Sequence, residues 1–378
     1  MHHDRTRKVL AAIAAAFFAT PLALLVVGVR AGEFENRQLA SAPSLESGWD
    51  VFDETTRWLT DHMPLREEAV RANTRISLDV FDTTPLYGQI AHETTSIPAG
   101  EPAGQEPAPP PATASQVLRG EDGWLYLQGE IDRACGPFVP FAEALARWRR
   151  LVDIVRVSGR RAVLLVPPDK TAIYPEHLPG DLPTRGCLDA ANAQLWDLLE
   201  PPRGGVVGLR EPVARLKAET DELVYKRKDS HWNDIAALET VRHALAGIGA
   251  PVSVRPEEIV DPGPAAYNGD LTVLLGVPES DEAPRRKIAR RPGAPRMLGT
   301  TLFVYDSYGD AVLPLLRPYF TRLETFLWDA STAEQLAAAI KSADRVIFES
   351  VEREFTYRTS DAGYVHPRLF DVLRAELR

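Results

Sequence analysis

From Val117 to the end of the chain, short apolar runs alternate with stretches of helical spacing, and this alternation restricts the fold more than any other feature. Arg161–Val166 is apolar after its first residue, as expected of a strand buried on both faces. Gly205–Gly208, Thr301–Tyr305, Leu323–Trp328 and Arg345–Phe348 are predicted as further strands. Helices are predicted over Phe141–Val157, Asp189–Leu199, Pro212–Ala218, Asn233–Gly247, Gly309–Phe320, Thr332–Ala343 and His366–Leu377. Asn233 has the side chain of an N-cap, and Gly247 acts as a stop. Strands separated by helices imply an α/β fold, a mostly parallel sheet flanked by helices on both faces. Pro251–Pro295 is proline-rich and shows few periodic features.

The segment ahead of this domain has a different character. Residues 9–29 carry no charge, follow Arg5, Arg7 and Lys8, and end at Arg30. As a helix the run is about 31 Å long, which matches a bilayer core. Basic residues before the span predict a cytoplasmic N-terminus, with the rest of the chain outside. A cleaved signal peptide is the competing reading, but the Val27-Gly28-Val29-Arg30-Ala31-Gly32 boundary is a poor cleavage site. The expected organisation is residues 1–30 as cytoplasmic tip and single transmembrane helix, and 31–94 as a juxtamembrane helical region. Residues 95–116 read as a disordered Pro/Ala-rich loop, and 117–378 as the catalytic domain. The chain is thus expected in the cell membrane as a single-pass protein with its domain outside the cytoplasm. Cys135 and Cys187 then form either a disulfide, which the external compartment favours, or two buried thiols.

Residues suited to chemistry cluster in two places. Asp229-Ser230-His231 precedes the helix that begins near Asn233. An Asp two residues before a His on an extended loop can accept the imidazole Nδ1–H and leave Nε2 free to deprotonate a nucleophile. In the other place the strand Thr301–Tyr305 runs into Asp306-Ser307-Tyr308-Gly309 and then a helix. Ser307 is therefore presented at the carboxyl end of a strand, where open α/β sheets place ligands, although it could also merely cap the helix. The formal charge of −10 disfavours nucleic acid as a partner. Neither a GxGxxG after a strand nor a GxxxxGK[ST] loop occurs. His2, His3, His62, His92, His177, His243 and His366 form no HxH or HExxH set with His231, so no metal and no cofactor are expected.

Six segments in order resemble the bacterial polysaccharide O-acetylation proteins of the AlgX/AlgJ family. They are Phe34-Glu35-Asn36-Arg37, Asp61-His62-Met63-Pro64-Leu65-Arg66, Gly120 to Tyr126, Pro168-Asp169-Lys170 with Tyr174-Pro175-Glu176, Asp229 to Asn233, and Asp306-Ser307-Tyr308. The resemblance implies an SGNH-hydrolase-like fold with Asp229, His231 and Ser307 as catalytic residues. Tyr308, Asp306, Tyr305, Asn268 and Lys170 are implied as an oxyanion or substrate neighbourhood. Asn268-Gly269-Asp270 is similar to a GDL segment that fits a structural role as well. The implied activity is transfer of an acetyl group to hydroxyls of a cell-surface or secreted polysaccharide through a Ser307 acyl-enzyme. A multi-span membrane acyltransferase is the implied partner that supplies acetyl. The same three residues would serve an esterase or deacetylase with water as acceptor. Tyr305 stands where the family often carries glycine, and this departure motivates a third reading, a non-catalytic glycan-binding component.

Overall fold

In the computed structural model the described residues are 116–328 and 332–377, with isolated positions 19, 20, 23, 24, 27, 29, 51, 55, 58, 62 and 64. Two compact units are distinguished, residues 1–85 with 272–278, and residues 86–271 with 279–378. In the first unit, positions 51, 55, 58 and 62 are helical, and the rings of Trp58 and His62 stack at 4.6 Å. Among the described residues no helix is long and apolar enough to cross a membrane. Most of the uncharged run 9–29, the segments at 34–37 and 61–66 apart from His62 and Pro64, and the 95–116 loop apart from Gln116 lie outside the described residues.

Among the described residues the second unit contains eleven strands. They are β1 (Val117–Arg119), β2 (Leu125–Leu127), β3 (Arg161–Val166), β4 (Val206–Gly208), β5 (Ile259–Val260), β6 (Ala265–Asn268), β7 (Ser280–Ala283), β8 (Lys287–Ile288), β9 (Met297–Tyr305), β10 (Phe320–Leu327) and β11 (Arg345–Glu349). Five of them form one sheet in the order β10-β9-β11-β3-β4, with every pairing parallel. The remaining strands pair as antiparallel two-stranded ribbons, β1 with β2, β5 with β8, and β6 with β7. The helices are α1 (Gln128–Cys135), α2 (Phe141–Val157), α3 (Lys170–Ile173), α4 (Arg185–Leu199), α5 (Arg210–Glu219), α6 (Asp234–Gly247), α7 (Asp270–Leu274), α8 (Gly309–Leu316), α9 (Ala333–Lys341) and α10 (Pro367–Glu376).

The central strands are apolar because both faces of the sheet are covered, and their alternation divides the core in two. Val163, Leu165, Phe303, Tyr305 and Ile347 join one cluster with Val241 and Leu245 of α6 and Val312 of α8. Ala162, Leu164, Val166, Leu302, Val304, Val346 and Phe348 join the other, with Trp148 of α2, Leu195 of α4, Leu336 of α9 and Leu373 of α10. Side chains one residue apart on a strand point to opposite faces, so one run of sequence supplies both clusters. This is the expected α/β architecture with a parallel sheet and helices. The sequence-based bounds of α2 and β3 match, and Asn233 caps α6 by accepting the Ile235 amide. The structure adds β1, β2 and α1 ahead of α2, and it resolves the proline-rich stretch into small ribbons. A parallel sheet puts the carboxyl ends of β3, β9 and β11 on one edge, and the segments that follow them build the site.

Candidate active site

Ser307 stands two residues beyond β9, in the turn that enters α8. Asp306 shapes this turn. Its Oδ1 accepts the Tyr308 amide at 3.1 Å, and its Oδ2 accepts the Val351 amide, just beyond β11, at 2.9 Å. Its own amide donates to Glu349 Oε2 at 3.1 Å. The Asp306 carboxylate therefore binds the ends of two neighbouring strands together. Burial, and then the adjacent Asp306, push the Glu349 carboxyl well above the usual carboxylate range. Tyr305 ends β9 with its ring stacked on Phe303 at 4.7 Å. Gly309 is required beneath that ring, since a Cβ there would come 2.3 Å from Tyr305 Cδ2.

The loop ahead of α6 approaches Ser307 from the other side. His231 Nδ1 lies 2.8 Å from Asp229 Oδ1, and His231 Nε2 lies 2.8 Å from Ser307 Oγ. Asp229 Oδ1 also accepts the His231 amide at 2.9 Å, so the carboxylate holds both the ring and the backbone of its partner. Two further hydrogen bonds join the serine turn to this loop. The Tyr308 hydroxyl donates to Ser230 O at 2.7 Å, and Trp232 Nε1–H donates to Tyr308 O at 3.0 Å. Trp232 and Tyr308 are fully buried, and their bonds fix the spacing between Ser307 and His231.

Lys170, also fully buried, lies under the same loop. Its Nζ donates to the carbonyls of Lys226 (3.2 Å), Arg227 (3.2 Å) and Asp229 (2.7 Å). Burial lowers its pKa to about 8, against the pull of Glu130, Asp270 and Asp229. Asn268, at the end of β6 opposite Ser280, is exposed. Of the neighbourhood residues named from sequence, Asp306, Tyr308 and Lys170 are thus committed to holding the two loops, and Tyr305 packs in the core. The amides of Tyr308 and Gly309 are engaged by Asp306, through its side chain and its carbonyl respectively.

Sequence reading did not anticipate a second carboxylate at the imidazole. Asp270 Oδ2 lies 3.3 Å from His231 Nδ1, and Asp270 accepts both the amide and the hydroxyl of Ser230, at 2.7 and 2.5 Å. The available signal was Gly269, which admits the Lys228 carbonyl to within 2.0 Å of where a Cβ would stand. Burial disfavours the His231 imidazolium, but hydrogen bonds to Asp229 and Asp270 and their charges outweigh it, raising the pKa to about 9. Asp229 is held below the usual carboxylate range. Burial works against this, but the hydrogen bond from His231 outweighs it. Asp229, His231 and Asp270 bring metal-ligand atom types within 4.8 Å of one another. In this arrangement, however, Nδ1 faces the carboxylates and Nε2 faces a hydroxyl, which is the geometry for moving a proton from Ser307 Oγ. Cys135 of α1 and Cys187 of α4 are bridged, with their Cα atoms 5.7 Å apart.

Comparison with known proteins agrees with this fold. Residues 117–299 match the family model described as "SGNH hydrolase-like domain, acetyltransferase AlgX". The chain is 28% identical over 186 residues to the "Probable alginate O-acetylase AlgJ" of Pseudomonas syringae pv. tomato, which covers 45% of this chain and 46% of that protein. It is 30% identical over 135 residues to the protein of the same name from Pseudomonas aeruginosa, covering 34% and 32%. The chain thus spans less than half the length of these curated relatives. Among solved structures it is similar to the O-acetyltransferase domain of Pseudomonas putida AlgJ, with 21% identity, a TM-score of 0.45, and coverage of 68% of this chain and 98% of that one. Residues 117–299 are thus similar to the SGNH hydrolase-like domain of the AlgX/AlgJ-like family.

Proposed function

We propose that this protein is an extracytoplasmic polysaccharide O-acetyltransferase that works through Ser307, His231 and Asp229, anchored in the membrane by residues 9–29. One observation carries the reading: Asp229, His231 and Ser307 form a continuous hydrogen-bonded relay, with 2.8 Å at each link. The names of the relatives supply the group transferred and the class of acceptor.

In the first half-reaction His231 Nε2 takes the Ser307 Oγ proton while Oγ bonds to the acetyl carbonyl carbon of the donor. The donor's bond to acetyl then breaks, and its leaving atom takes the proton from Nε2. In the second half a sugar hydroxyl gives its proton to Nε2 and attacks the Ser307 ester. The acetylated sugar leaves, and the proton returns to Ser307 Oγ. Asp229 keeps Nδ1 protonated, so Nε2 is the nitrogen that works. An external site has no acetyl-coenzyme pool, which calls for a multi-span membrane acyltransferase as the source of acetyl.

The test uses the full chain in detergent with an activated acetyl ester, with and without candidate glycans. An acetyl mass on the Ser307 peptide and acetylated sugar are expected. Ser307→Ala is expected to lower turnover by about a thousandfold or more. Ester hydrolysis that no glycan diverts would make the protein an esterase instead. Folded protein that neither acylates nor reacts with a serine-directed phosphonate would leave only glycan binding.

A further inference from the structure

The acyl-transfer reading gives Asp270 no step, yet this residue meets Asp229, Ser230 and His231 in turn. Its carboxylate accepts the Ser230 amide and hydroxyl, and its Oδ2 lies 3.3 Å from His231 Nδ1. Its own amide lies 3.4 Å from Asp229 Oδ2. These contacts bridge 40 residues of sequence, and they depend on Gly269, whose Cα passes against the Lys228 carbonyl. A single Nδ1–H directed mainly at Asp229 can be shared with a second acceptor at longer range, and two carboxylates beside one imidazole both favour its protonated form. A residue with only a structural role needs none of these contacts to the ring.

We propose that Asp270 is a positioning residue for His231, sharing the Nδ1–H edge with Asp229 and locking the Asp229–His231 loop through Ser230. This rests on the reading of His231 as the general base. Asp229, Ser230 and Lys226 belong to the same loop as His231, with Lys226 Nζ 3.7 Å from Asp229 Oδ2. Ser307, Tyr308 and Asp310 face it from the turn into α8, and Asp310 interacts with its charge. Lys170 supports the loop from beneath. Against this surround Asp270 is the carboxylate from outside that loop that lies against the Nδ1 edge itself, at 3.3 Å.

The experiment follows the His231 ring by NMR in the full chain carrying 13C-labelled histidine, with His231→Gln to assign the signal. Asp270→Asn preserves the size of the side chain and removes its charge. It is expected to lower the His231 titration midpoint by about one pH unit. The acidic limb of the kcat/KM profile for an activated acetyl ester should move by the same amount. Asp270→Glu restores the charge and should return the midpoint towards wild type. An unmoved midpoint in folded Asp270→Asn overturns the assignment, and so does a midpoint equally lowered in Asp270→Glu. The ring titration needs no acyl donor. A lowered midpoint in a protein that transfers nothing would therefore support Asp270 while removing the transferase reading. An unmoved midpoint in an active enzyme would do the reverse.

Discussion

His231 is held by two acidic side chains on one edge and a hydroxyl on the other, so under the proposed mechanism its protonation state sets the reactivity of Ser307. In the proposed mechanism the nucleophile is generated only when Nε2 is free to accept a proton, and the carboxylates raise the imidazole pKa to about 9. Below that value the free-base fraction falls about tenfold per pH unit. The acylation rate with an activated acetyl ester should accordingly climb from pH 6 to about 9 and level off above it. A flat profile across that interval would contradict the general-base assignment. Stability runs the other way. With a folded pKa above the unfolded value, near 6.5, the imidazolium contributes stability that is complete below about 6.5 and is lost as pH rises through about 9. Folded protein should therefore be less resistant to urea at the pH where it turns over fastest, and His231→Gln should abolish that part of the pH dependence.

At the scale of elements, two loops are pinned to each other and to the sheet, and Lys170 is the buried fastener of one of them. Replacing it by Met would remove its hydrogen bonds to the carbonyls of Lys226, Arg227 and Asp229, of which the Arg227 carbonyl keeps the Leu125 amide as a donor at 3.0 Å. Because buried unsatisfied groups are costly, Lys170→Met should lose about 3 kcal/mol in urea unfolding, with slower phosphonate labelling of Ser307 in the fraction that remains folded. Unchanged labelling would mean that the loop keeps its shape without the brace. These elements differ in how legible they were beforehand. The α2 helix and β3 strand follow from runs whose apolar spacing has one reading, and Asn233 announces its cap. The ribbons β5–β8 and β6–β7 have strands of two to four residues with many exposed positions, too short for a period to show. Asp229, His231 and Ser307 could be picked out because each stands beside a recognisable element. Asp270 stood out only within the Asn268-Gly269-Asp270 segment and not as a partner of His231, because its partners lie 39 to 41 residues earlier and only the fold brings them together.

Across the whole molecule, the sheet sets the site edge while the covalent link acts on a different level. The Cys135–Cys187 bridge joins α1 to α4 across a sequence separation of 52. α1 also carries the buried Glu130, whose Oε2 accepts the Thr171 amide at 3.1 Å, next to Lys170. Holding α1 in place therefore also supports the segment that braces the His231 loop. A cross-link over such a loop reduces the entropy of the unfolded chain by an amount equivalent to about 4 kcal/mol at 25 °C. The double variant Cys135→Ala/Cys187→Ala should lose a stability of that order in urea unfolding. Reduction of the wild-type protein should bring its unfolding midpoint down to that of the double variant, whereas the double variant should not respond to reductant. Wild-type protein whose midpoint ignores reductant would show that the bridge does not form in solution. It would also remove one support for an oxidising compartment, because a chain kept among reduced thiols has no use for this link.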